Sequence, residues 1–273
     1  MSNKKFISIV TISYNQNAYL EKCIRSIVDS GDPDVEYIIV DPGSTDGSRD
    51  IIHKYRGSIN RIILDKDDGP ADGLNHGFSE ATGEFFAFVN ADDFLLPGSI
   101  RLMREALASK PGVDVLSGHG YVVDENERFL RASISWPFSA SGFLAGQSFL
   151  LQQSTFFRRT AFKCAGGFNV KNKTCWDLEL WIDMLLADAR FELINRFIGA
   201  FRIHSNSITG SGRLNAAHEL DVARLEDKLA LAMRRHPGSA ESFMIRQMVR
   251  ASNPVGLALR LAAAFGLVRG DFQ

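Results

Sequence analysis

A chain of 273 residues, 45% of them hydrophobic, is long enough to bury one large α/β domain with an appendage. Its 31 lysines and arginines against 32 aspartates and glutamates leave a formal charge of -1, which argues against a nucleic-acid polyanion as partner. Cys23, Cys164 and Cys175 lie far apart with no C-x-x-C pair or zinc-type histidine spacing, so neither a disulfide framework nor a zinc site is expected.

The opening MSNKKFISIVTIS is basic for two residues, then alternates small polar and β-branched side chains, a strand pattern and not that of a signal peptide. No run of eighteen apolar residues follows, so no membrane span is expected. The expected setting is cytoplasmic, soluble or peripheral at the inner face of the membrane.

Residues 1–120 repeat a short apolar run, a polar turn and an amphipathic segment, the pattern of parallel β-α-β units. Strands are predicted at Phe6–Ser13, Glu36–Asp41, Arg61–Asp65, Glu84–Asn90 and Val113–Ser117. Leu20, Ile24, Ile27 and Val28 share one face of a crossover helix that Gly31 stops. Further helices are predicted around Ile51, Ile52 and Tyr55, from Pro70 to Ala81, and from Gly98 to Ala108 before Lys110-Pro111-Gly112. From 121 to 175 the periodicity is irregular and aromatic-rich. A helix resumes in WDLELWIDMLLADA, with Leu178, Trp181, Ile182 and Leu185 on one face. Past 210 the chain reads as all helical, with Val222, Leu225, Leu229, Ala232 and Met233 in one stripe ended by HPG. The expected architecture is α/β, a mostly parallel sheet flanked by helices (1–120 and 121–210) with a helical C-terminal extension (211–273).

In a parallel sheet, ligands gather outside the carboxyl ends of the strands, and here those ends are polar and acidic: TISYN, DPGSTDGS, DKDDGPADGLNHG and NADD. G-x-G-x-x-G is missing, and PGSTDGS sets an aspartate where a phosphate would be repelled, so a dinucleotide cofactor is disfavoured. Asp41 suits a donor edge such as a uracil N3–H or a ribose hydroxyl; alternatively, Asp41 and Asp46 only shape a turn. Asp92 and Asp93, two like charges closing a buried run, ask for a positive partner. With Asn90 they are hard oxygen ligands suited to Mn²⁺ or Mg²⁺, unless the pair merely starts a helix.

TISYN, YIIVDPGSTDGS, DGPADGLNHGFSEATGE, FVNADD, GGF followed by WDLELW, and RIHSNS stand in the order seen in family 2 glycosyltransferases. Over about residues 5–208 the chain resembles these inverting nucleotide-sugar enzymes of GT-A fold. Each motif alone is weak, and the six in order are specific. The resemblance implies transfer from a nucleotide diphosphate sugar, commonly a UDP-sugar, to a carbohydrate or lipid-linked acceptor in bacterial surface-polysaccharide or glycolipid assembly. It implies that Thr11, Ser13, Tyr14 and Asn15 line the nucleotide pocket and that Asp41 meets the base. Asp67, Asp72 and Asn75 would lie near base, ribose or sugar. Asn90, Ala91 and Asp92 occupy the family's D-x-D motif. Asn90 departs from it, which leaves Asp92 as the main metal ligand, with Asp93 ligating directly or acting from behind.

The resemblance further implies that Asp177 is the base that takes the acceptor's proton, with Glu179 as its substitute. Arg202 and His204 would stand near the diphosphate, His204 as metal ligand or phosphate contact. Arg158 and Arg159 either approach phosphates or are simply exposed, and Trp176 and Trp181 either stack on sugar or belong to the core. The Q-x-x-R-W sequence and membrane helices of the processive polymerases are missing, as expected of a single-transfer enzyme. Two alternatives stay open: a silent nucleotide-sugar-binding homologue, suggested by Asn90, and a sugar-phosphate nucleotidyltransferase, which SYNQNAYLEK does not resemble. The tail, with Arg234, Arg235, Arg246, Arg250, Arg260 and Arg269 against Glu241 and Asp271, either lies on an anionic membrane or covers the catalytic part or a second subunit.

Overall fold

The computed structural model describes residues 5–205 and 207–270; Asn206 of RIHSNS and Asp271 of the tail lie outside them. The first half follows the β-α-β pattern in order. β1 (Ile7–Ile12), α1 (Asn17–Val28), β2 (Val35–Val40), α2 (Ser48–Lys54), β3 (Arg61–Ile63), α3 (Pro70–Glu80) and β4 (Phe85–Phe88) lead to a two-residue β5 (Phe94–Leu95) and α4 (Ser99–Ala108). Then come β6 (Val115–Val123), β7 (Phe129–Ser133), α5 (Ala140–Leu144), a 3-10 turn (Gln152–Ser154), β8 (Thr155–Arg158), α6 (Arg159–Ala165), α7 (Trp176–Leu186) and β9 (Phe191–Arg202). The helices α8 (Ile208–Ser211), α9 (Asn215–Met233), α10 (Ser239–Ser252) and α11 (Pro254–Ala264) close the described chain.

The nine strands of the described residues form one sheet, in the order β3-β2-β1-β4-β8-β6-β9-β5 with β7 paired to β6. β3, β2, β1 and β4 are parallel, whereas β8 runs antiparallel to both β4 and β6. Because side chains alternate along a strand, each strand feeds two cores. Ile7, Ile9, Phe85 and Ala87 pack towards Leu20, Ile24 and Met103 of α1 and α4. Val10, Phe86 and Phe88 pack the other way, with Leu74, Phe78, Phe162, Leu180 and Trp181 of α3, α6 and α7. Phe78 and Phe86 stack at 4.7 Å, and Phe157 meets Trp181 edge-on at 5.5 Å. Burying each such ring contributes about 2–3 kcal/mol.

The helix of DGPADGLNHG can lie this close to the sheet because Gly77 faces Val10. A Cβ there would sit 2.5 Å from Val10 Cγ1.

The largest departure from the sequence pattern lies between 118 and 202. β6 runs on through Gly118, His119 and Gly120, residues of poor strand propensity. The glycines mark a close approach. A Cβ at 120 would stand 2.4 Å from the carbonyl oxygen of Gly199 on β9, and one at 118 would stand 2.5 Å from Ile198. β9 itself is half exposed over its first half and has no clean alternation. Its strand form comes from pairing with β6, which local periodicity does not encode. In the tail Leu225 and Leu229 are buried as the stripe predicts, but Met233 is exposed, since α9 ends beside it with Arg234 in a left-handed turn. Cys23 and Cys175 are buried and Cys164 is exposed; all three are free.

Candidate active site

The carboxyl ends of β1, β3 and β4 meet the start of α7 around one cleft of ≈ 1200 Å³, larger than most small-molecule sites. Of the residues singled out in the sequence, Ser13, Tyr14, Asp67, Asn90, Ala91, Asp92 and Asp177 line it. Trp176 and Trp181 form part of its wall.

Asp92 extends from the turn after β4 with a partly exposed carboxylate whose Oδ2 is 3.1 Å from His204 Nε2. His204 is buried, its ring 4.6 Å from that of Tyr19. Asp93 turns the opposite way. Its Oδ1 accepts the backbone N–H of Arg202 (2.8 Å) and its Oδ2 accepts Gln153 Nε2 (2.6 Å), with Asn90 Nδ2 at 3.4 Å. Burial, and the neighbouring Asp92, push the Asp93 carboxyl well above the usual carboxylate range. Direct ligation by Asp93 therefore gives way to support from behind, because both oxygens are taken within the fold.

Arg202 also differs from its expected place. Its guanidinium is buried beneath the turn, donating to the Asp92 carbonyl (2.8 Å), the Glu125 carbonyl (3.1 Å) and Glu127 (3.1 Å), over the Tyr19 ring at 4.7 Å. It braces the acidic turn and does not line the cleft, since its donors face inward. Lys66, Lys173, Arg131 and Arg213 instead bring positive charge to the lining. Arg213 sits in the turn between α8 and α9, in a stretch that the sequence reading takes as helical.

The fit of a divalent cation can be judged from these donors. Among the described residues no three His, Cys, Asp or Glu side chains converge as a ligand cluster. Asp92 Oδ2, His204 beside it, and the buried, unpaired Asn90 Oδ1 do suit a hard cation that takes its other ligands from a diphosphate.

Asp177 stands in the first turn of α7, half-buried and lining the cleft. Burial raises its carboxyl above the ordinary aspartate range, opposed by backbone N–H groups at the helix start and by His218. No side-chain donor pairs with it among the described residues. Glu179, two residues on, is the reverse case. It is buried and accepts two bonds from Arg224 (2.9 and 2.7 Å), one from Asn169 (3.0 Å) and one from Asn172 (2.8 Å). Burial works against its charge, yet these donors hold it at about 2. Glu179 ties α7 to α9 and has no free lone pair for proton transfer, so it is no substitute base.

The remaining expected residues shape the walls from behind. Thr11 is buried against Tyr37 and Cys23. Asn15 caps the loop of residues 43–45 through Ser44 and Thr45. Asp41, fully buried, accepts from Gly43 N, Ser44 N, Ser44 Oγ and Arg49 Nε, and despite its burial these bonds hold it below the usual range. The turn-shaping alternative thus describes Asp41, while Pro42 and Gly43 present their own surface to the cleft. Asp72 accepts the Asp68 N–H. Asn75 exchanges two hydrogen bonds with the Phe168 backbone (2.8 and 2.9 Å), clamping α3 to the GGF loop. Asp67, on the cleft wall, is raised by burial and by Asp72 against the Gly69 N–H. Arg158 pairs with Glu84 and Asp114, and Arg159 donates to the Thr82 carbonyl, both away from the cleft.

Comparison with known proteins places this geometry in context. The family model Glycosyl transferase family 2 matches residues 8–172. An uncharacterized glycosyltransferase of Nostoc sp. is 33% identical over 135 residues, 48% of this chain and 42% of its own. The chain therefore spans less than half of that relative. Bacillus subtilis TuaG, a glycosyltransferase named for teichuronic acid biosynthesis, is 25% identical over 224 residues, 76% of this chain and 83% of its own. Among solved structures, Staphylococcus aureus TarS 1–349 with UDP-GlcNAc superposes with a TM-score of 0.69 at 19% identity, covering 91% of this chain and 74% of that one. The mannosyltransferase PcManGT of Pyrobaculum calidifontis, with GDP-Man and Mn²⁺, gives 0.63 at 14% identity, covering 98% and 82%. At these identities the structural likenesses establish the GT-A fold alone.

Proposed function

The chain belongs to glycosyl transferase family 2, and from that premise we propose that it transfers a sugar from a UDP-sugar to an acceptor hydroxyl with inversion. The observation that carries this reading is the placement of Asp92, beside His204, and of Asp177, without a side-chain partner, on one cleft. Inverting displacement needs a neutralised leaving group, an aligned hydroxyl and one base for its proton.

Asp177 is the proposed base: burial raises its carboxyl, which makes its ionised form a better acceptor of the acceptor's hydroxyl proton than an ordinary aspartate. Asp92, with His204 and Asn90 Oδ1, is the proposed holder of Mn²⁺ or Mg²⁺, with Asp93 positioning the turn. When bound, such an ion supplies Lewis-acid neutralisation of the diphosphate. Lys66, Lys173 and Arg213 add positive charge along the same wall. Ser13, Tyr14, Pro42 and Gly43 offer the nucleotide its surface, and Asp41 and Asn15 hold that surface in shape.

The lining also includes the apolar side chains of Phe138, Phe143, Phe149, Leu150 and Leu214. This supports an acceptor that carries an apolar group, such as a lipid-linked saccharide in surface-polysaccharide or glycolipid assembly. No described helix is long and apolar enough to cross a membrane. The surface we propose to meet the lipid is on α10 and α11. Phe243, Met244 and Met248 are exposed on the first helix, Val255 and Leu261 on the second, and Phe265 directly after it. Arg234, Arg250 and Arg269 have no ion-pair partner among the described residues, which complements an anionic bilayer.

Titration calorimetry of UDP with and without Mn²⁺, followed by turnover of UDP-sugars, tests the transferase reading. Metal-dependent binding with slow sugar release supports it. Binding with no turnover, unchanged in Asp177→Asn, identifies a silent homologue instead.

A further inference from the structure

Two adjacent glutamines, Gln152 and Gln153, occupy the 3-10 turn before β8, 6% and 5% exposed. Each amide is fixed in orientation by its partner. Gln152 Nε2 meets the Phe88 carbonyl at 2.5 Å, and Gln153 Nε2 meets Asp93 Oδ2 at 2.6 Å. Only an NH₂ can face an acceptor, so the carbonyl end of each side chain must point elsewhere. Both Oε1 atoms are buried without a hydrogen-bond partner, and both residues line the cleft. Asn90 Oδ1 and Ser13 Oγ, on the same lining, are also unpaired.

A buried acceptor without a donor costs folding free energy, and a water or a ligand that brings a donor recovers that cost. The turn is also rigid. Ser154 Oγ donates to the His119 carbonyl and accepts Gly199 N–H, Thr155 Oγ1 donates to the Leu151 carbonyl, and Leu151 N donates to Ser135 Oγ. Acceptors held this firmly select a ligand by its donors.

We propose that Gln152 and Gln153 form the subsite that reads hydroxyl groups of the transferred sugar. The inference rests on the nucleotide-sugar reading above and deepens it. The chemistry narrows the ligand. A diphosphate offers acceptors only and gains nothing from a carbonyl oxygen. A uracil has one N–H donor to give and its ribose two hydroxyls. A pyranose offers several O–H donors within a few ångströms, which matches neighbouring amide oxygens. Gln153 is bonded to Asp93, so the subsite adjoins the turn that carries Asp92. A sugar read there has its anomeric end beside the acidic turn.

The test is a cycle between the protein and single-hydroxyl analogues, with kcat/KM and affinity measured for UDP, UDP-glucose, UDP-GlcNAc, UDP-galactose and the deoxy forms of the preferred donor. Gln152→Met preserves volume and removes the acceptor. In the unaltered protein at least one deoxy donor is expected to lose about tenfold, and in Gln152→Met that same deletion should cost little more, with UDP affinity unchanged. Deoxy losses of equal size in both proteins would overturn the assignment, as would deoxy donors that all perform like their parents in the unaltered protein. The latter outcome stands even if the variant folds poorly. If UDP binds but no UDP-sugar binds more tightly or turns over, the subsite fails while nucleotide binding stands. If UDP itself does not bind, the nucleotide-sugar reading falls and takes this assignment with it.

Discussion

His204 Nε2 lies 3.1 Å from Asp92 Oδ2, so the end of β9 supplies a partner to the acidic turn after β4 across 112 positions of sequence. If this pair holds the cation, Asp92→Ala should abolish the Mn²⁺ dependence of UDP binding, and His204→Ala should weaken it by about 10–100-fold. Calorimetry at fixed UDP over a Mn²⁺ series reads both. Full Mn²⁺ dependence in Asp92→Ala would remove the assignment.

Asp177→Asn should lose turnover by about two to four orders of magnitude while UDP affinity stays near that of the unaltered protein. Its folded carboxyl is raised, so its contribution to stability is present below the unfolded value and lost as pH rises through the folded one. Once ionised, the side chain works against folding, and above the folded value the asparagine variant should melt at the same or a higher temperature. For the same reason the acid limb of kcat/KM should fall at a higher pH than that of an ordinary aspartate. A variant that both melts earlier and keeps its turnover would assign Asp177 a structural role.

Glu179 makes the opposite pH prediction. Held at about 2 against an ordinary 4.5, it contributes stability above pH 4.5 that is lost as pH falls towards 2. The shift corresponds to about 3 kcal/mol, and the 44% exposure of the Arg224 side chain reduces the figure to about 2 kcal/mol. Arg224→Ala should cost a part of that in urea unfolding at pH 7, since Asn169 and Asn172 also hold Glu179, and progressively less below pH 4. A penalty independent of pH would point to lost packing and not to the ion pair.

Phe243→Asp combined with Phe265→Asp should reduce co-sedimentation with vesicles of one third phosphatidylglycerol, and neither protein should bind pure phosphatidylcholine vesicles. These residues are 57% and 78% exposed, so the fold should tolerate the change. Equal sedimentation of both proteins removes the membrane proposal. A shift from dimer to monomer in light scattering would show that a second copy covers this face.

The parallel strands from Ile7 to Phe88 and their crossover helices were legible in the sequence because each forms from local apolar periodicity of 2 or 3.6 residues. The acidic strand ends were legible too, since chain order alone sends them to one edge of a parallel sheet. Which oxygens face the cleft was not. Asp92 and Asp93 are neighbours of identical chemistry, and only the packing of Arg202 and Gln153 turns one outward and one inward. Asp177 and Glu179 are likewise a pair of acids in one helical turn, divided by the arrival of Arg224 from α9.

The strand β9, which delivers both Arg202 and His204, has no periodicity of its own and exists because Gly118 and Gly120 let it approach β6. Local patterns therefore determined the scaffold and the composition of the site. Long-range contacts decided which of those residues are free to meet a substrate, because a side chain's availability depends on its partners, and those lie far away along the chain.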